Sequence, residues 1–136
     1  MTIQELSIGN SASMAKTISE ADVYLFAGIT GDHNPAHVNE EEASRTPFGG
    51  RIAHGILSAG LISAVLAMKL PGPGTIYLGQ ELKFTKPVRF GDTVTATCTI
   101  SELLPEKNLA KLETICTNQR GEVVIKGTAT VMPPKH

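Results

Sequence analysis

The sequence predicts an α+β fold in which one long helix is wrapped by a curved antiparallel sheet. Two observations lead to this fold class. The segment from His54 to Leu70 carries small and apolar residues on nearly every helical face, and a helix of that kind is surrounded on most sides. After Gly74 the chain reads as strands separated by short turns. Helix and strands can bury their apolar faces together only if the sheet curls around the helix.

Local end signals predict the helices that precede the long one. Ser19 with Asp22 three residues later fits a capping box, and the helix that begins there should end in the segment 28–31, which has a glycine at each end. Asn39 is followed by three glutamates, which predicts another helix start because acids favour the positive first turn. The Pro-Gly-Pro-Gly run at 71–74 should end the long helix.

Strand signals predict five strands. They are Ser13 to Ile18, Thr75 to Phe84, Asp92 to Glu102, Leu109 to Thr117 and Glu122 to Met132. Thr93 to Ile100 alternates strictly, which indicates one buried and one solvated face. The turns between the last four segments are short, so each is expected to pair antiparallel with the next as a meander.

Composition excludes several functional classes. At 136 residues, with 41% apolar and 18% charged residues, the chain is expected to form one soluble domain over 1–136. A net charge of −1 and the absence of tryptophan give no basis for nucleic-acid binding. The longest apolar stretch, Ile52 to Met68, is too interrupted to span a bilayer, so no membrane partner is expected. Two cysteines in a chain without a secretion signal are expected to be reduced, which predicts a cytoplasmic location.

The most informative motif is Gly31-Asp32-His33-Asn34-Pro35-Ala36-His37. It sets a carboxylate and an imidazole five residues apart, and Pro35 predicts irregular backbone that cannot become helix. Asp32 and His37 together could move protons on and off a substrate. The structural alternative is that Asp32 caps a turn and His37 is an ordinary hydrogen-bonded histidine.

His54 and Gly55 open the long helix. The Gly55 N–H in the first turn could stabilise developing negative charge, with support from the helix dipole. Alternatively, Gly55 only permits close packing and His54 hydrogen-bonds locally. Lys83, Lys86 and Arg89 form a basic stripe that either contacts a ligand's phosphates or protects a strand edge from aggregation.

Metal chemistry is a weaker hypothesis. His33 and His37 are four residues apart, and Asp32 and His54 could complete a ligand set. Paired histidine ligands at that spacing work best on one face of a helix, which Pro35 interrupts. No metal site is therefore predicted.

Nucleophilic catalysis is also weak. Cys98 and Cys116 alternate with other strand residues as core thiols do. The Gly-x-Ser-x-Gly motif of a serine nucleophile is absent.

Several elements resemble the MaoC-like (R)-specific enoyl-CoA hydratases in matching order, over roughly Ile18 to Val131. These elements are Asp32-His33-Asn34-Pro35-Ala36-His37, Arg51-Ile52-Ala53-His54-Gly55, Ser63, Tyr77-Leu78-Gly79-Gln80 and Pro87-Val88-Arg89-Phe90-Gly91-Asp92. The Asp-x-Asn-Pro-x-His element is the most specific, and the others support it. The resemblance implies the hot-dog fold, a long helix wrapped by an antiparallel sheet, which agrees with the layout predicted above.

The resemblance also implies an activity, the reversible addition of water to a trans-2-enoyl thioester, with a short-chain substrate such as crotonyl-CoA and an (R)-3-hydroxyacyl product. Asp32 and His37 would hold one water, and the Gly55 N–H would stabilise the enolate oxygen. Ser63 and Asn34 would support them. No metal or redox cofactor is implied, because coenzyme A enters as part of the substrate. Members of the family are typically homodimers, so a homodimer is expected.

Three other functions stay open at this point. A 3-hydroxyacyl-carrier-protein dehydratase would differ mainly in the carrier of the substrate. A hot-dog thioesterase would often place a carboxylate on the central helix, but no Asp or Glu occurs from Ala43 to Gln80. A non-catalytic acyl-thioester-binding module would not need both Asp32 and His37.

Overall fold

The computed structural model describes residues 1–136 and contains one antiparallel sheet of five strands in the order β1-β3-β4-β5-β2. The strands are β1 Ser11–Thr17, β2 Ile76–Phe84, β3 Thr93–Leu104, β4 Leu109–Thr117 and β5 Val123–Met132. The α-helices are α1 Glu20–Thr30, α2 Pro35–Val38, α3 Glu40–Ser44 and α4 Gly55–Met68. Two 3-10 turns lie at Ile3–Glu5 and Pro105–Lys107.

The predicted helix start signals are confirmed. The Ser19 hydroxyl accepts the Asp22 N–H at 3.1 Å, and the Asp22 carboxylate accepts the Ser19 N–H at 2.9 Å, which completes the capping box of α1. Gly31 ends α1 in the left-handed region with φ of 80°. The Asn39 side chain accepts the Glu42 N–H at 3.0 Å and so caps α3.

Helix α4 crosses the inner face of the sheet and contacts β1, β2, β3 and β4. Its fully buried side chains Ile62, Val65 and Leu66 share one apolar core with inward strand residues such as Leu112. Burial alternates strictly along β3 over Thr93 to Ile100, as predicted. The predicted α+β class and the hot-dog arrangement of helix and sheet are confirmed.

The predicted meander is wrong for β2, which pairs with β5 at the far edge of the sheet instead of with β3. The short segment between β2 and β3 does not close a hairpin. Instead it pairs with the chain that enters α4: Val88 accepts the Ala53 N–H at 2.8 Å, and Arg89 forms an isolated bridge with Ile52. These contacts carry the chain across the end of α4 and bring β3 down on the other side of the sheet.

Helix α4 was expected to be surrounded on most sides, but only the side that faces the sheet is covered. Its outer positions are exposed and form a stripe, here called the open face of α4: Ile56, Gly60, Ser63 and Ala67. The largest side chain of this face, Ile56, is 51% exposed. The physical reason is that a single five-stranded sheet covers one side of a helix, and the remaining helices of the chain do not cover the other.

Edge strand β2 is a second exposed apolar surface. Ile76, Tyr77 and Leu78 are all exposed on it, with Leu78 at 51%. Between Tyr77 and Gly79 the pairing with β5 shifts register, so Leu78 lies at a bulge.

No helix of the structure has the length and apolar character needed to cross a membrane.

Candidate active site

The motif from Asp32 to His37 runs from the end of α1 into α2. The prediction that this segment cannot become helix is wrong, since Pro35 to Val38 form one helical turn that includes His37. Proline is compatible with the first helical position, because its missing N–H would have no partner inside the helix. The Asn34 side chain caps the turn by accepting the Ala36 N–H at 2.9 Å. A helical turn, rather than irregular backbone, therefore orients His37.

Asp32 is held in a short turn before α2. Its carboxylate accepts the Asn34 N–H at 3.3 Å, and its own N–H donates to the Thr30 hydroxyl at 3.2 Å. The residue is exposed and lines a cleft. The carboxylate is thus positioned by backbone contacts and still open to a ligand.

The ring of His37 is oriented by the backbone of Ile52. His37 Nδ1 lies 2.7 Å from the Ile52 carbonyl, and the Ile52 N–H donates to the Ala36 carbonyl at 3.0 Å. A carbonyl only accepts hydrogen bonds, so Nδ1 carries the proton. In the neutral ring Nε2 then keeps a free lone pair, which makes His37 an acceptor toward the cleft.

His54 also belongs to the site. The sequence predicted for it only a local hydrogen bond or a role as a metal ligand. Its Nε2 lies 2.9 Å from the Asp32 carbonyl, and its ring stacks on His37 with centroids 3.8 Å apart and an interplanar angle of 27°. Phe26 lies against it at a centroid distance of 4.8 Å. His54 is 2% exposed, and its Nδ1 is buried without a hydrogen-bond partner. Nothing in the local sequence signals this stack, because the two histidines lie far apart along the chain.

The three groups form a compact cluster whose geometry does not suit a metal ion. A carboxylate oxygen of Asp32 and one ring nitrogen each of His37 and His54 lie within 4.8 Å of one another. A metal ion binds an imidazole nitrogen in the plane of the ring. Because the two rings are stacked, an ion in the plane of one ring lies out of the plane of the other. His33, the other histidine of the metal hypothesis, is exposed and outside this cluster.

Arg51 is a second residue that sequence reasoning did not place in a role. Its guanidinium donates to Glu20 at 3.0 Å, to Glu40 at 3.1 Å and to the Tyr24 hydroxyl at 2.8 Å. It also stacks over the Phe90 ring at 4.8 Å, and its side chain is only 15% exposed. This arginine joins α1, α3 and the segment after β2. Arg51 immediately precedes Ile52, whose carbonyl orients the ring of His37.

A cleft of about 560 Å³ opens over the cluster. Asp32, His37 and the first residue of α4, Gly55, all line it. The apolar residues among the others that line the cleft are Phe48, Ile52, Ala53, Ile56, Phe84, Pro87, Val88 and Ile125. The Gly55 N–H donates no hydrogen bond within the chain, as expected at a helix start. The cleft thus combines an apolar wall with a small group of polar atoms.

The remaining residues named from sequence are dispersed. Ser63 is exposed on the open face of α4, eight residues from Gly55 and so about 12 Å away along the axis. Lys86 lines the cleft and forms an ion pair with Glu122. Lys83 lies instead on another surface of the sheet, outside the cleft lining.

Arg89 and the two thiols lie away from the cleft. Arg89 does not line the cleft, and its N–H donates to the Asp92 carboxylate at 2.9 Å. Cys98 and Cys116 are free and fully buried. Burial raises the pKa of the Cys98 thiol to about 12 and that of Cys116 to about 11, so neither is available as a thiolate nucleophile.

Comparison with known proteins identifies the family. A family model described as the MaoC like domain matches residues 7–123. An (R)-specific enoyl-CoA hydratase of Rhodospirillum rubrum is 61% identical over 131 residues, which cover 96% of this chain and 90% of the relative. A 3-hydroxybutyryl-CoA dehydratase of Methylorubrum extorquens is 50% identical, with 97% of this chain and 83% of the relative covered.

A solved structure shares the fold of this chain. An (R)-hydratase of Pseudomonas aeruginosa in its unliganded form superposes with a TM-score of 0.94 at 46% identity, covering 99% of this chain and 86% of that one. The fold of this chain therefore matches that of the hydratase over nearly its whole length. The chain belongs to the MaoC-like domain family.

Proposed function

We propose that the protein is an (R)-specific enoyl-CoA hydratase, a hydro-lyase that adds water reversibly across a trans-2-enoyl-CoA. The observation that carries the proposal is the position of an Asp32 carboxylate oxygen and a His37 ring nitrogen within 4.8 Å of each other. A water that makes two ordinary hydrogen bonds at a tetrahedral angle spans about 4.6 Å between its partners. Relatives at 61% and 50% identity carry names of this activity.

The hydrogen bonds of His37 explain how that water is activated. Because Nδ1–H is given to the Ile52 carbonyl, Nε2 accepts from the cleft side. The ionised carboxylate of Asp32 also only accepts. One water therefore donates a proton to each group and keeps an oxygen lone pair directed at Cβ of the substrate.

The two proton transfers balance within the site. As the water oxygen bonds to Cβ, one of its protons passes to Asp32 or His37, and the electron pair of the Cα=Cβ bond moves onto the thioester oxygen. When this enolate collapses, the same group returns the proton to Cα. Hydroxyl and hydrogen thus add to one face of the double bond, and both side chains regain their starting protonation states. The reverse sequence removes water from the (R)-3-hydroxyacyl thioester.

The start of α4 supplies the site for the developing enolate. The Gly55 N–H is unpaired inside the chain and belongs to the positive end of a fourteen-residue helix. A hydrogen bond from it to the thioester oxygen would strengthen as negative charge develops. Asn34 supports the same site by capping the turn that carries His37. Lys86 is the basic group that we assign to the phosphates of coenzyme A, because it is the only lysine or arginine in the cleft lining.

The carrier is proposed to be coenzyme A rather than a carrier protein. Relatives named as carrier-protein dehydratases are 36% and 30% identical, below the 61% and 50% of two relatives named for CoA substrates. A thioesterase is disfavoured because α4 carries no carboxylate.

The proposed working unit is a homodimer. The open face of α4 and the apolar edge of β2 are both exposed in one chain, and burying them against a second copy would complete the covering of α4. Antiparallel pairing through β2 would also remove an unpaired sheet edge. Ser63 lies on the open face, so any supporting role for it in catalysis depends on such an assembly.

Further parts of the proposal concern domain organisation, cofactors and location. We propose that residues 1–136 act as one hot-dog domain and need no metal or redox cofactor, with coenzyme A entering only on the substrate. A cytoplasmic location is proposed because both cysteines are free, as expected in a reducing compartment.

Crotonyl-CoA is the substrate that tests the proposal. Incubation with the protein should remove the enoyl absorbance without releasing free thiol, and chiral analysis should find (R)-3-hydroxybutyryl-CoA. Free coenzyme A would instead identify a thioesterase. Binding of crotonyl-CoA without any loss of enoyl absorbance would identify a binding module. A rate that is much higher with crotonyl-carrier protein would reassign the carrier.

A further inference from the structure

We propose that His54 is a positioning residue that holds both reacting side chains, through a hydrogen bond to the backbone of Asp32 and a ring stack on His37. The inference rests on the proposed hydratase reaction of Asp32 and His37. His54 occupies the N-cap position of α4, so it links the loop of the reacting groups directly to the central helix. Its side chain gives no capping hydrogen bond to α4, so its polar contact is with the loop.

The hydrogen bond determines the position of Asp32. His54 Nε2 lies 2.9 Å from the Asp32 carbonyl, and because a carbonyl only accepts, Nε2 carries the proton. The other contacts of Asp32 are made within its own loop, to Thr30 and Asn34. The contact from His54 therefore ties this exposed loop to a buried part of the fold.

The ring stack determines the orientation of His37. The bond from Nδ1 to the Ile52 carbonyl fixes one point of the ring, which leaves rotation about that bond open. The flat face of His54, 3.8 Å away and inclined by 27°, closes that rotation on one side. Phe26 packs against His54 at 4.8 Å and supports it in turn. Nε2 of His37 is thereby kept directed at the position of the proposed water.

The buried nitrogen of His54 argues against a purely space-filling role. Nδ1 has no partner, and a buried unpaired polar atom lowers the stability of the folded state. A phenyl ring would fill the same space and stack on His37 without that cost. The imidazole therefore adds something a phenyl ring cannot, and the donor to Asp32 is the contact that only the imidazole makes.

Two substitutions separate the two contacts. His54→Phe keeps the flat face and removes the donor, whereas His54→Gln keeps an amide donor that can reach the Asp32 carbonyl and removes the ring. His33→Gln serves as the matched control, since His33 is an exposed histidine of the same loop outside the cluster. The enzyme is assayed with crotonyl-CoA, and folded fraction is measured on the same samples.

Both variants should lose about 10- to 100-fold in kcat, because small displacements of reacting groups have effects of that size, while KM stays near the wild-type value. The loss should remain after correction for folded fraction, and His33→Gln should behave as wild type. Wild-type kcat in His54→Phe would overturn the role of the donor, and wild-type kcat in His54→Gln would overturn the role of the stack. A loss explained entirely by unfolding would overturn both.

The tautomers of both histidines can be measured in the wild-type protein, so this test depends neither on activity nor on the folding of a variant. Nitrogen-15 NMR of the imidazoles should find the proton on Nε2 of His54 and on Nδ1 of His37. The opposite tautomer at His54 would contradict the inference whether or not the protein turns over crotonyl-CoA. Absence of hydration by the wild-type protein, with the expected tautomers present, would count against the proposed reaction and leave the structural pairing intact.

Discussion

The ring of Phe84 occupies the space into which a side chain at Gly55 would extend. A Cβ added to Gly55 would stand 2.7 Å from Phe84 Cδ1 and 2.8 Å from Cε1, both closer than real contacts allow. Phe84 is itself 53% exposed and lines the cleft. The missing side chain at position 55 therefore does two things at once. It makes room for an aromatic wall, and it leaves the backbone N–H of the helix start accessible from the cleft.

The first prediction separates these two reasons for Gly55. Gly55→Val should reduce turnover, and combining it with Phe84→Ala should not restore it to the level of Phe84→Ala alone. The second substitution removes the ring that the new side chain would strike, yet the valine still stands where the thioester must approach the N–H. Melting temperature and turnover per folded molecule are measured on the same preparations. Recovery in the double variant would assign Gly55 to packing and remove it from the site.

The second prediction concerns the two reacting groups. Asp32→Asn and His37→Ala should each lower kcat by about 100- to 10,000-fold, as is usual when a positioned acid or base is lost. Circular dichroism should show the fold unchanged, because both side chains line a cleft rather than the core. The double variant should be little worse than either single variant, since both groups act on one water. Multiplied losses would contradict a shared water.

Metal independence is the third prediction. Dialysis against EDTA should leave the rate of crotonyl-CoA hydration unchanged, because the stacked rings of His37 and His54 cannot both direct a nitrogen at one ion. Metal analysis of the purified protein provides the control. Stoichiometric zinc whose removal abolishes activity would restore the metal hypothesis.

The fourth prediction is that the protein forms a homodimer through β2 and the open face of α4. Light scattering should give the mass of two chains. Leu78→Lys, which places a charge at the 51% exposed bulge of β2, should shift the mass toward one chain. Ile8→Lys is the matched control, because Ile8 is also exposed, at 68%, but precedes β1 at the other edge of the sheet. A wild-type protein that is monomeric and fully active would refute the dimer.

The fifth prediction follows from the buried thiols. Burial raises the pKa of Cys98 to about 12 and of Cys116 to about 11, so both remain protonated thiols at about pH 8. The native protein should therefore not react with a disulfide reagent, and two thiols per chain should react in denaturant. Rapid labelling of the native protein would show that the strands open readily. Silent protein thiols also ensure that any thiol detected with crotonyl-CoA comes from the substrate.

Local interactions were readable from the sequence. The capping box of Ser19 and Asp22 and the cap at Asn39 depend on residues within one turn of each other, so the sequence predicts both helix starts correctly. The strict alternation of β3 was readable for the same reason, because each residue's face depends only on its position along the strand. The proximity of Asp32 and His37 likewise follows from their separation by five residues.

The tertiary structure alone decided which distant segments meet. β2 pairs with β5 rather than β3, and Lys83 and Lys86 separate to different surfaces, although their neighbours in sequence gave no sign of either. The stack of His54 on His37 and the contacts of Arg51 with α1 and α3 join residues eleven to thirty-one positions apart. Such contacts depend on how the sheet closes over α4. These contacts stabilise the protein only once the core has packed, so no local sequence pattern predicts them.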